Sequence, residues 1–145
     1  MKRNLFFKLL VFCFALNLLS CSGGIKTEKI DYTYTFCERS SKVWMAKLVG
    51  LGDNVIEESS SIEGTLFIFY ASGKFVFGDL KALANNNYQS GTYKLDNEND
   101  NLQIQINGKK WDFNFEVSSN MEIILRPTTD SETNYSYLLI PFPEP

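Results

Sequence analysis

The stretch LQIQINGKKWDFNFEV, Leu102 to Val117, decides the fold. Leu102, Ile104 and Ile106 alternate with Gln103 and Gln105. After Asn107-Gly108, Trp111, Phe113, Phe115 and Val117 alternate with Lys110, Asp112, Asn114 and Glu116. Period two on both sides of that dipeptide predicts an antiparallel hairpin through a type I′ turn, which needs positive φ at both central residues. One face of the ribbon is apolar and aromatic, the other polar. The apolar face must be buried against other parts of the sheet, so a closed or sandwiched antiparallel β structure with an aromatic centre follows.

The same alternation recurs on either side. Lys42 to Val49 reads as a strand carrying Trp44, Ala46 and Leu48 on one side. Thr65 to Tyr70 and Lys74 to Phe77 form a second hairpin through Ala71-Ser72-Gly73, with Phe67 and Phe69 in phase, as are Phe75 and Phe77. Leu66, Ile68 and Tyr70 are apolar too, so this strand needs cover on both faces. Candidates for the cover are the segment Ile30 to Cys37, expected as a first strand or an extended arm, and Asp79 to Ala84, whose Leu80, Leu83 and Ala84 have helical spacing. Ser90 to Leu95, Met121 to Leu125 and Tyr135 to Ile140 complete eight strands after residue 40. Gly50 to Glu63 is expected as loop.

Ahead of these strands, Lys2 and Arg3 precede an apolar run from Leu5 to Leu19, interrupted by Lys8 and Asn17. It is shorter than the roughly 20 residues of a bilayer span and sits where a secretory signal sits. Its end, Leu18-Leu19-Ser20-Cys21, resembles the lipobox of bacterial lipoproteins. That resemblance implies cleavage before Cys21 and fatty acylation of the new N-terminus, palmitate included, and two or more chains anchor durably where one would be marginal. The expected organisation is a signal peptide at 1–20, a tether at 21–29 and one domain at 30–145. Ser22-Gly23-Gly24-Ile25 carries no acidic run of the kind that sends some lipoproteins to the cell surface. The expected location is therefore the cell envelope, at the periplasmic face of the outer membrane of a diderm bacterium.

Removing the signal takes three of the 14 basic residues and none of the 17 acidic ones, leaving a mature charge of −6. With no basic stripe, a nucleic-acid partner is not expected. The chain has no His, and Cys13 and Cys21 are accounted for by signal and lipid, so Cys37 has neither a disulfide partner nor a base to activate it. Asp96, Glu98 and Asp100 alternate as in a calcium loop, but Asn101 and Asn107 stand where Gly and Glu are required, so a solvated turn is expected and no metal. Glu57-Glu58 beside Ser59 to Ser61 reads as wet loop. No cofactor motif and no catalytic constellation is present in the sequence, and a non-enzymatic protein is expected.

From Ser41 to Phe142, the succession Trp44, Phe67-x-Phe69, Ser72-Gly73-x-Phe75-x-Phe77, Gly91-Thr92-Tyr93, Trp111-x-Phe113-x-Phe115 and Ile123-x-Leu125 resembles the small bacterial lipocalin-like domains. The resemblance implies an all-β, antiparallel, up-and-down eight-stranded β-barrel. It also implies that Trp44 lies at the closed end with an arginine on its indole, for which Arg39 and Arg126 are the mature chain's only candidates and Arg126 is assigned. Lipocalins place Gly two residues before this Trp, and here that position is Lys42.

The expected interior set is Phe67, Phe69, Phe75, Phe77, Tyr93, Trp111, Phe113 and Phe115. Eight-stranded barrels can be filled by side chains or hold one small ligand, and rings this large leave both outcomes open. The leading expectation is a lipid-anchored barrel binding a small hydrophobic ligand or acyl chain through these residues. The alternative is a protein-binding module, such as an envelope assembly subunit or a periplasmic inhibitor or immunity protein, using Leu66, Ile68 and Tyr70. The strand phase further predicts that Trp111→Asp prevents folding and that Asp112→Lys is tolerated.

Overall fold

In a computed structural model, residues 30–51, 54–57 and 64–143 are described. The signal segment, the lipidation residue Cys21, the tether and Glu58 to Ser61 lie outside them. The opening hairpin forms as its sequence dictates, from β6 (Asn101–Ile106) and β7 (Lys109–Val117). Asn107 and Gly108 have φ of 51° and 75°, as a type I′ turn needs, and Ile104 pairs with Trp111 and Leu102 with Phe113. The other strands are β1 (Ser41–Leu51), β2 (Asn54–Glu57), β3 (Thr65–Tyr70), β4 (Lys74–Asp79), β5 (Gln89–Asp96), β8 (Ile123–Pro127) and β9 (Tyr135–Pro141). In the β3–β4 turn Gly73 takes φ of 82° and its N–H bonds to the Tyr70 carbonyl.

All pairings are antiparallel between neighbours in sequence, except that β1 pairs with β3 through Ser41 to Met45 and with β9 through Trp44 to Leu51. The β1–β9 ladder closes an eight-stranded up-and-down barrel, with a register shift between Ala46 and Leu48. The short β2 extends the sheet beyond the start of β3 by pairing with Val49 and Leu51, inside what the sequence presents as loop.

The interior is built from Trp44, Phe67, Phe69, Phe75, Leu102, Ile104, Phe113, Ile123, Leu125 and Leu139, all fully buried. Each such side chain contributes about 1.5–3 kcal/mol of burial. The polar face of the hairpin stays wet at Gln103, Gln105, Asn114 and Glu116, but not at Asp112.

The segment expected as a strand or arm is instead a helix, α1 (Thr33–Cys37), that stops one end of the barrel. With β1 bonded on both sides, the closed barrel offers no free edge there for another strand. Phe36 enters the core edge-on to Phe69 and Phe115, each 5.2 Å away, and Tyr32 lies edge-on to Phe115 at 5.2 Å. The Trp44 indole N–H donates to the Phe36 carbonyl at 3.0 Å, satisfying an acceptor that the helix end leaves open. Cys37 is buried in the same plug, with its thiol on the Thr33 carbonyl.

The outer face of β4 is partly covered by the chain, while Ile68 and Tyr70 on β3 stay half-buried. The helix α2 (Leu80–Ala84), capped by the Asp79 carboxylate accepting from the Ala82 N–H, packs on β4. A Cβ placed on Gly78 would stand 3.3 Å from Tyr88 Cβ and 3.4 Å from Ala82 Cβ. Leu66, paired with Gly78, is buried, and the Tyr70 ring has the Lys74 ammonium over it at 5.4 Å.

Asp112 departs from expectation. It points outward yet is 6% exposed, because residues 128–132 fold along β7 where β8 has ended. The Thr128 N–H donates to the Asp112 carbonyl and the Glu132 N–H to the Lys110 carbonyl, while the Asp112 N–H reaches the Ser131 hydroxyl. The Lys110 N–H donates to the Glu132 carboxylate. The carboxylate of Asp112 accepts from the Asn101 amide at 2.6 Å and meets the Lys110 ammonium at 2.8 Å. Asp112→Lys would break this cluster, so the tolerance expected of it is corrected. Trp111 is the half-buried member of the pair.

Candidate functional site

Strand directions put the plug at one end, with the start of β1 and the ends of β3, β7 and β9. The opposite end carries the termini of β1, β4 and β6 and the starts of β5, β7 and β9. There the barrel opens into a cup of about 620 Å³. Phe77, Trp111, Tyr137 and Ile106 wall it, and Thr65, Gln89, Asn107, Lys109, Glu132 and Asn134 stand around it.

The eight ring residues expected to touch a ligand divide between two levels. Phe77 and Trp111 line the cup, 5.2 Å apart at 85°. Phe67, Phe69, Phe75, Tyr93, Phe113 and Phe115 are buried and form the packed body beneath. Phe67 closes the floor, 5.0 Å from Phe77 and 4.9 Å from Tyr137. Lower down, Phe69 touches Phe75 and Tyr93 at 5.1 and 5.0 Å, and the Tyr93 hydroxyl donates to the Tyr70 carbonyl. The interior therefore divides into a half filled by side chains and a half that opens to solvent.

Tyr137 and Ile106 complete the wall, and reasoning from sequence did not single them out as site residues. Their signal was available: Ile106 continues the phase of Leu102 and Ile104, and Tyr137 is two residues from Leu139. Thr133, on the loop after β8, carried no such signal. The Tyr137 hydroxyl hydrogen-bonds with the Thr133 side chain, and burial pushes its phenol up to about 12. Lys110, beside the cup, is held above its ordinary value by its hydrogen bond with Asp112. Lys109 on the rim has no ion-pair partner among the described residues.

At the closed end the indole of Trp44 does carry a cation, but it is Lys42, with its ammonium 4.8 Å from the ring centroid and 3.0 Å from the Glu38 carboxylate. Arg126 lies elsewhere. Ile123 and Leu125 face inward, so Arg126 faces out, where it bonds Glu116 at 3.2 Å. Lys42 occupies the position at which this chain departs from the lipocalin pattern.

Asp96, Asp100 and Asn101 belong to the β5–β6 turn, in which the Asp96 carboxylate accepts from the N–H groups of Glu98 and Asn99. Among the described residues no group of three or more Cys, Asp and Glu side chains is placed to hold a metal ion. No family model, no curated protein and no solved structure matches the chain.

Proposed function

We propose that this chain is a non-catalytic barrel protein of a bacterial cell envelope, anchored by lipid on Cys21, that holds a small hydrophobic molecule or acyl chain in the cup. The observation that carries the reading is the cup itself: about 620 Å³ of open space bounded by Phe77, Trp111 and Tyr137 above a closed aromatic floor. Ligand pockets are concave, mostly apolar and about 300–1,000 Å³ in volume, with a few polar groups that fix orientation. The lipobox-like Leu18 to Cys21 supports the anchor, and the up-and-down barrel is compatible with a lipocalin-like fold.

Size sets a threshold on the guest. A micromolar complex needs about 8 kcal/mol. Burial at about 25 cal/mol per Å² supplies that only when about 330 Å² of apolar surface is covered, before the entropic costs of association. A single small ring is not enough. The competing protein-binding reading rests on an apolar outer face at Leu66, Ile68 and Tyr70; the burial of Leu66 reduces that face to the half-buried Ile68 and Tyr70 and so favours the ligand reading.

Solvent extraction of the protein purified from its native envelope, followed by mass spectrometry, tests the proposal. One hydrophobic species near equimolar amount is expected. A clean extract, together with no binding of either a ring probe or a fatty acid, would overturn it.

A further inference from the structure

Resting on the reading of the cup as a binding site, we infer that its guest is a compact fused-ring molecule with a polar substituent at its outer edge, not an extended acyl chain. The argument begins with depth. Strands advance about 3.4 Å per residue and inward positions recur every second residue. On β7 the cup is lined by Lys109 and Trp111, and the next inward residue, Phe113, is fully buried. On β9 the lining residues are Tyr135 and Tyr137, and Leu139 below them is fully buried. On β4 Phe77 lines the cup and Phe75 is already in the packed body. Two inward levels correspond to a depth of about 7 Å.

Below that level, among the described residues, rings occupy the interior. Phe67 bridges beneath Phe77 and Tyr137, Phe75 lies 5.9 Å from Phe67, and Phe36 occupies the far end against Phe69 and Phe115. An acyl chain entering end-on would bury a few methylenes and leave the rest in water. A wide, shallow volume is instead matched by a flat, broad guest.

The wall chemistry agrees. Phe77 and Trp111 stand at 85°, so one flat guest can meet an offset-stacked ring and an edge-on ring at once, the two geometries aromatic pairs prefer. The polar groups of Gln89, Asn107, Lys109 and Asn134 lie at the rim, and the Tyr137–Thr133 hydroxyl pair lies within the wall. They suit a guest whose hydrogen-bonding group remains at the mouth while its rings lie below.

The test uses the full mature chain carrying Cys21→Ser, so that no attached lipid competes, after removal of co-purified ligand. 1-Anilinonaphthalene-8-sulfonate is titrated and read by energy transfer from tryptophan, and its displacement by 2-naphthol and by palmitate is compared. One saturable site is expected, with 2-naphthol displacing the probe at a concentration at least about tenfold below that required of palmitate. Phe77→Leu keeps apolar bulk but removes a ring, and is expected to weaken ring-probe binding about fivefold. Palmitate displacing the probe as well as 2-naphthol does, or Phe77→Leu binding the ring probe at wild-type affinity, overturns the inference and leaves the ligand-binding reading standing. If neither the ring probe nor a fluorescent fatty acid binds, both fail.

Discussion

Gly91→Ala should be the most damaging single-methyl addition in the barrel. Gly91 pairs with Ile106 on β6, and its backbone leaves no room for a side chain on the β6 side. A Cβ there would lie 1.9 Å from the Gln105 carbonyl oxygen, 2.9 Å from its carbon and 3.1 Å from Ile106 Cα. All three atoms are backbone, so no side chain can rotate away, and the strands must separate by more than an ångström. Overpacking strain of about 1–3 kcal/mol then adds to the weakening of the Gly91–Ile106 and Thr92–Gln105 pairings, at about 0.5–1.5 kcal/mol per hydrogen bond. The expected loss is about 3–5 kcal/mol, a large share of the 5–15 kcal/mol typical of a domain. Gly108→Ala is the control. It also adds one methyl, but nothing lies within 4 Å, and the positive φ of 75° costs only about 1–2 kcal/mol. Urea titrations and thermal melts followed by far-UV circular dichroism should show Tm reduced by roughly 10–20 °C for Gly91→Ala and by roughly 3–8 °C for Gly108→Ala. If Gly91→Ala falls within about 1 kcal/mol of wild type, the lack of room at Gly91 is refuted.

Three further outcomes are expected. Asp112→Lys sets a second cation beside Lys110 and strips the Asn101 amide of its acceptor, so it should destabilise by about 2–4 kcal/mol in urea unfolding, while Asp112→Asn loses less; equal stability of Asp112→Lys and wild type would contradict the buried cluster. The Tyr137 phenol binds its proton more tightly in the folded barrel, so its contribution is complete below pH ~10 and is lost as the pH rises towards 12, about 2–3 kcal/mol in all. Urea midpoints measured from pH 9 to pH 11.5 should fall in wild type and fall less steeply in Tyr137→Phe. Finally, cells fed an alkyne-tagged fatty acid should label the wild-type protein, whereas Cys21→Ser should be unlabelled and leave the membrane fraction; persistent labelling would move the lipid to another residue.

The parts of this fold that were readable in advance share one property, which is that local sequence suffices to specify them. Residues 102–117 need only alternation and the positive φ of Asn107 and Gly108, and both hold. The inward phase of Phe67, Phe69, Phe75, Phe113 and Phe115 follows in the same way. What was missed depends on contacts distant in sequence. The alternation of Ile30, Tyr32, Tyr34 and Phe36 looks like a strand, but β1 is already bonded to β3 and β9, so the segment coils into a helix that plugs the barrel end opposite the cup. Asp112 looks solvated because its cover comes from residues 128–132. The resemblance puts Arg126 on Trp44, whereas its even-numbered position on β8 turns it outward and leaves the indole to Lys42.

The division of the interior into a packed half and an open half follows from where bulk is placed along the strands. Towards the plug, Trp44, Phe69, Phe75, Tyr93, Phe113 and Phe115 converge, and Phe36 fills what remains between Phe69 and Phe115. Towards the mouth β5 offers Gln89 and Gly91 in the phase of Tyr93, and only Gln89 has a side chain. Gly91 is fixed as glycine by the Gln105 carbonyl, so this wall cannot acquire a larger residue without separating β5 from β6. The bulk is missing at the mouth for a reason internal to the sheet. The cup is therefore tied to the same ladder that holds the barrel together, and a substitution that opens the ladder should disturb ring-probe binding along with stability. Gly108→Ala, on the turn beyond the cup, should spare binding when compared at a temperature where both variants are folded.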